Sequence, residues 1–163
     1  MQLGDLGRDG DIQFDSMMPF VMEKQFERFV AKGGDLVFRG RGAGIAVAAM
    51  PEVDRPIIVA SPLMIIRPDH KQVDPDYLAW ALTTEDARRH YAQFSSGSAI
   101  VGIGKRDLET LEIHLPALQT QHTLAKFKKL QEQEALLITR HQVVRAKLVE
   151  ALISNSIHKE KAA

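Results

Sequence analysis

The residues with the most pointed chemistry are two arginines on a glycine-rich stretch, Arg39 and Arg41 in RGRGAG. Glycines let backbone approach a partner closely, and a guanidinium forks onto a guanine edge or a phosphate. The plainer reading is a hairpin turn, because the stretch lies between two strand-like runs. It lacks the Lys-Ser/Thr of a phosphate-binding loop and opens no helix. A second stretch, SSGSAIVGIGK from Ser95 to Lys105, has similar parts: Ser96 and Ser98 offer short donors, and Lys105 adds charge. Those parts suit phosphate contacts, and equally an ordinary surface loop.

Other chemistries find no support. The six histidines (70, 90, 114, 122, 141 and 158) are scattered, and none forms a metalloprotease pair. There is no G-x-S-x-G elbow. The chain has no cysteine, which removes disulfides and thiolate metal sites. No catalytic residue, metal site or cofactor is expected.

The elements that must carry these stretches follow from periodicity. With 163 residues and 45% hydrophobic content, the chain suits one domain plus an appendage. A short alternating piece covers Asp11–Phe14, and Phe26, Phe29 and Val30 suit a strand or a short helix. A turn at Gly33–Asp35 precedes a strand at Leu36–Arg39. A second strand follows at Ile45–Met50, and two apolar segments span Ile57–Pro68, hinged at Ser61-Pro62. Helices are predicted from Pro75, capped by Asp74 or Asp76, and from Thr84 to Phe94. One helical turn is expected at Asp107–Leu111 and a short strand over Leu111–Pro116, with Glu112 and His114 on one face.

The last element is the largest. From about Gln119 to Ile153 no Gly or Pro interrupts a helical pattern, roughly 50 Å long at 1.5 Å per residue. Phe127, Leu130, Leu137, Val144 and Leu148 form an apolar seam that also contains Glu134 and His141. Such a seam needs a partner helix. Residues 1–120 hold 13 Lys/Arg against 17 Asp/Glu, and residues 121–163 hold 8 against 4. DNA binding by the globular part would therefore rest on a local patch, since the summed field does not favour it. The acidic, Gly-rich start has no secretory h-region and no run approaches membrane length, so a soluble cytoplasmic protein is expected.

The order of these pieces resembles the target recognition domain of specificity subunits of type I restriction–modification enzymes. The resemblance runs through GGDLVFRGRGAG, SPLMIIRP, DPDYLAWAL and SSGSAIVGIGKRDLETLEIHLPALQTQ, then the long helix, covering about residues 33–153. Each motif is weak alone; their order and spacing together are fairly specific. The resemblance implies a non-catalytic subunit that binds half of a bipartite double-stranded DNA site and docks methyltransferase and endonuclease subunits. In that family two antiparallel spacer helices set the gap between half-sites. This sequence has one domain and one helix, only about 32 residues before GGD, and Thr120-Gln121 where the family usually has Glu-Gln.

The expected architecture is α+β. A compact mixed recognition domain (1–116), N-terminally shortened, precedes a spacer and dimerisation helix (117–154) and a flexible tail (155–163). The helix is expected to pair as an antiparallel coiled coil in a homodimer, with a Glu134–His141 contact across it. Arg39, Arg41, Ser96, Ser98 and Lys105 are the expected DNA contacts. The alternative is a protein-interaction module, derived from such a subunit, that has lost DNA binding and regulates or pairs with restriction–modification partners.

Overall fold

A computed structural model of the chain describes residues 1–19, 21, 24–42, 44–94 and 102–161. Among the described residues the architecture is mixed α+β: two small antiparallel sheets, three short helices and one long C-terminal helix. Strand β2 (Leu36–Arg39) is central in a three-stranded sheet, between β3 (Ala46–Ala49) and β5 (Leu63–Ile66). A second sheet pairs β1 (Val30–Ala31) with β4 (Ile57–Ile58). The two apolar segments either side of Ser61-Pro62 thus enter different sheets.

All four residues of β2 are buried, because both faces of its sheet are covered. Period-two alternation sorts them. Leu36 and Phe38 face one core with Val47, Leu82, Ala87, Tyr91 and Ile103. Val37 faces another with Leu6, Ala46, Ala48, Ile57 and Val59. Phe38 lies opposite Val47 and Met64, and its ring meets that of Tyr91 edge-on at 5.9 Å. Burial raises the Tyr91 hydroxyl to about 12, and that hydroxyl donates to the Leu82 carbonyl at 3.2 Å.

The helices begin where the caps predict. Asp74 accepts from Tyr77 N at 2.8 Å and starts α1 (Pro75–Ala81). Thr84 accepts from Ala87 N and starts α2 (Glu85–Gln93). Helix α3 spans Lys105–Glu109, two residues earlier than expected. From inside its first turn Asp107 accepts from Gly104 N at 2.8 Å.

Three other expectations are corrected. Leu111–Pro116 is not a strand. Its alternation does bury Leu111 and Ile113 more than Glu112 and His114, but the His114 carbonyl accepts from the Tyr77 hydroxyl at 2.8 Å rather than from a ladder. Asp11–Phe14 supplies one bridge, Leu6 to Ile12, before a 3-10 turn at Phe14–Ser16. The last helix, α4, spans Leu118–Lys161, so the expected tail from residue 155 is helical as far as Lys161. No Gly or Pro follows Pro116 to stop it.

Asp35 anchors the entry to β2. Gly34 has φ +79° and packs so closely on His70 that a Cβ would lie 2.4 Å from the ring, which accounts for a glycine there. The buried Asp35 carboxylate then accepts from Lys32 N at 2.8 Å and from Arg67 Nε and Nη2 at 2.8 and 2.7 Å. Burial alone would raise this carboxyl, but the Arg67 guanidinium, the Lys32 amide and their charges outweigh it and hold it below its ordinary value. A depressed folded-state value stabilises above the unfolded carboxyl range near pH 4, and the contribution is lost as pH falls through the folded value. Asp35→Asn is therefore expected to cost about 2 kcal/mol at neutral pH. In urea unfolding the gap from wild type should close on acidification; a constant gap would contradict this assignment.

Candidate nucleic-acid interface

The two stretches singled out by their chemistry meet in the fold. The turn after β2 and the segment before α3 are joined by Ile103 N donating to Gly40 O at 2.9 Å. They pack so tightly that a Cβ on Gly40 would sit 2.4 Å from Ile103 O. A Cβ on Gly102 would lie 2.7 Å from Arg41 Nε, so the Arg41 side chain lies directly over Gly102. Arg41 is exposed. Two residues past Gly102, Gly104 precedes α3, and Lys105 opens that helix, 79% exposed, with Nζ 3.5 Å from Glu109 Oε1. An ion pair this exposed holds little energy and leaves Lys105 available to another anion. Arg106 is exposed beside it. Arg41, Lys105 and Arg106 are thus exposed cations carried on two stretches that the fold joins.

Arg39 is not one of these exposed cations. It is 4% exposed, so its guanidinium is buried rather than presented at the surface beside Arg41. Nε donates to Gly44 O at 3.0 Å and Nη1 to Leu6 O. Nη2 is buried with no hydrogen-bond partner among the described residues. Burial first, then the nearby Arg8 charge, lowers the guanidinium from its ordinary value, with Asp11 partly offsetting. Ser96 and Ser98 lie outside the described residues.

The root of the long helix is tied by a residue the sequence reading did not place. Gln121 is 1% exposed and uses its whole amide internally. Nε2 donates to Gln72 O at 2.9 Å and Pro116 O at 2.8 Å, and Oε1 accepts from Asp74 N at 3.0 Å. Asp74 also lies 3.3 Å from His122 Nε2. With Ala125 buried as well, the compact unit reaches from Met1 to Ala125, past the boundary expected at 116. Beyond it every expected seam residue is exposed: Phe127, Leu130, Glu134, Leu137, His141, Val144 and Leu148. Leu136, Ile138, Val143, Val149, Leu152 and Ile153 are exposed too, which widens the apolar surface beyond one seam.

The family model for the type I restriction modification DNA specificity domain matches residues 21–144, well over half of the chain. The chain belongs to that family. No curated protein matches it significantly. The family is a DNA-recognition module, which gives the chain the specificity role in a type I restriction–modification system. The matched span of the specificity domain takes in the described strands β1–β5, helices α1–α3 and α4 as far as Val144, and so includes Arg41, Lys105 and Gln121. Among the described residues, no helix is long and apolar enough to cross a membrane.

Proposed function

We propose that the protein is a non-catalytic DNA-reading subunit that binds one half of a bipartite site and docks methyltransferase and endonuclease subunits. The observation that carries this reading is the meeting of the Arg41 turn with the Lys105 segment in a chain of the specificity-domain family. Arg41 contacts a base edge or phosphate from the turn; Lys105 contacts phosphate from the start of α3. Ser96 and Ser98 remain candidate phosphate contacts on their residue types. Residues 1–116 with the first turns of α4 form the recognition domain, and the rest of α4 is the spacer. Through the Phe127–Leu148 seam two copies pair antiparallel, with Glu134 of one copy beside His141 of the other, around an axis near Leu137. Two domains then meet a two-fold symmetric, interrupted site.

Binding of the full chain to a randomised duplex library over a range of salt tests the reading. Each phosphate contact contributes about −0.9 to the slope of log K against log salt. Lys105→Ala is expected to flatten that slope by about 1 and weaken all sequences alike. Arg41→Ala is expected to relax selection at one base pair if it reads an edge, at about 1–3 kcal/mol, or to act like Lys105→Ala if it holds phosphate. Salt-independent binding, or none, together with capture of a methyltransferase subunit, would instead favour the protein-interaction module.

A further inference from the structure

The position of Arg39 presents a physical problem. Burying a guanidinium costs several kcal/mol unless its donors are matched, and no carboxylate is paired with it among the described residues. The sheet does not need the charge. Arg39 stands opposite Ala46 and Leu63 at the end of a fully buried strand, where an aliphatic residue would satisfy the pattern. What the guanidinium adds is a rigid pair of donors to two carbonyls far apart in sequence. One is Gly44 O, at the exit of the β2–β3 turn, where φ is +107°. The other is Leu6 O, where the Leu6–Ile12 bridge closes a small hairpin. Leu6 precedes the family match, so this tie reaches into a part of the chain that the family model does not describe.

The N-terminal segment meets the β2–β3 hairpin at other points. A Cβ on Gly42 would lie 3.3 Å from Leu3 Cδ2, and one on Gly10 would lie 2.4 Å from Val47 O. Arg41 therefore sits between a residue held by Ile103 (Gly40) and one packed on Leu3 (Gly42), with the exit of its turn pinned by Arg39. The residues on either side of it are packed while its side chain stays exposed. A contact that reads a base edge needs this kind of preorganisation, since the discrimination is lost when the donors drift.

We propose that Arg39 is a positioning residue for DNA recognition. From inside the protein it locks the β2–β3 turn to the N-terminal hairpin and so sets where Arg41 meets DNA, without touching DNA itself. This rests on the DNA-reading function proposed above.

The test compares wild type, Arg39→Gln, Arg39→Lys and Arg41→Ala, all as full chains, on the randomised duplex library, with thermal unfolding of each. Arg39→Gln is expected to lose about tenfold discrimination at the base pair that Arg41→Ala relaxes, while its salt slope stays at the wild-type value. Arg39→Lys keeps the charge but lacks the fork, and should fall between wild type and Arg39→Gln. The double variant Arg39→Gln, Arg41→Ala should be no less selective than Arg41→Ala alone. If Arg39→Gln does not fold, Arg39→Lys carries the comparison. A folded variant with unchanged discrimination makes Arg39 a residue of the fold only and overturns the proposal. A salt slope flattened by about 1 makes it a phosphate contact and overturns it equally. Wild type that binds no DNA overturns the DNA-reading function, and the positioning role with it; in the other two outcomes that function stands.

Discussion

Leu137→Asp is expected to convert the proposed dimer into a monomer. In the single chain Leu137 is 63% exposed, so the substitution should leave the folding of Met1–Ala125 untouched. In an antiparallel pair centred near Leu137 both copies would bury the new carboxylate close to its mate. Two like charges desolvated together cost at least about 3 kcal/mol, roughly a 100-fold or greater rise in the dissociation constant. Size-exclusion chromatography with light scattering reads the change directly, and the melting temperature of the compact unit serves as the control. A wild type that is monomeric across the micromolar range would sink the pairing. The apolar surface makes that outcome costly: Phe127, Leu130, Val144 and Leu148 are each more than half exposed, and Leu136, Ile138 and Leu152 join them. Soluble single chains rarely leave so long an apolar stripe in water.

The parts of this molecule that were legible in the sequence are those governed by local rules. The alternation in LVFR places Leu36 and Phe38 on one face and Val37 on the other, and the two cores sort them that way. Asp74 before Pro75 and Thr84 before Glu85 are cap signals whose hydrogen bonds are present. The glycine-rich stretch after Arg39 does connect two antiparallel strands. What could not be read is what depends on distant chain. An arginine beside a glycine looks the same whether it points outward, as Arg41 does, or inward to Leu6 O, as Arg39 does. The strand period held the clue: Arg39 ends a strand buried along its whole length, whereas Arg41 lies beyond it.

The same limit applies to paired motifs. Asp35 and Arg67 stand in two separate fragments of the resemblance, and only the sheet shows that they form one ion pair, because β2 and β5 are neighbours. Gln121 is also a residue whose type suggests solvent; its three internal hydrogen bonds come from loops up to 49 positions away. Leu111–Pro116 erred in the opposite direction. Alternation correctly foretold which side chains face inward, but a strand needs a free edge beside it, and Tyr77 occupies the carbonyl instead.

Lengthening α4 should change the spacing of the recognised site and nothing else in it. If the helix separates two recognition domains in an antiparallel pair, its length sets the distance between half-sites. A seven-residue insertion between Leu137 and Val144 that repeats the seam adds about 10.5 Å of helix and keeps the apolar period of 3.5 in register. At about 3.4 Å per base pair that corresponds to a gap roughly three base pairs longer. The half-sites should be unchanged, because Arg41 and Lys105 belong to the compact unit, which is not altered. A four-residue insertion adds about 6 Å but rotates the downstream seam out of phase, so it should weaken pairing before it reports any new gap. Selection from a duplex library with fixed half-sites and variable gaps distinguishes these outcomes. An unchanged gap after the heptad insertion would mean that α4 is not the ruler, and altered half-sites would mean that it contributes to reading the bases.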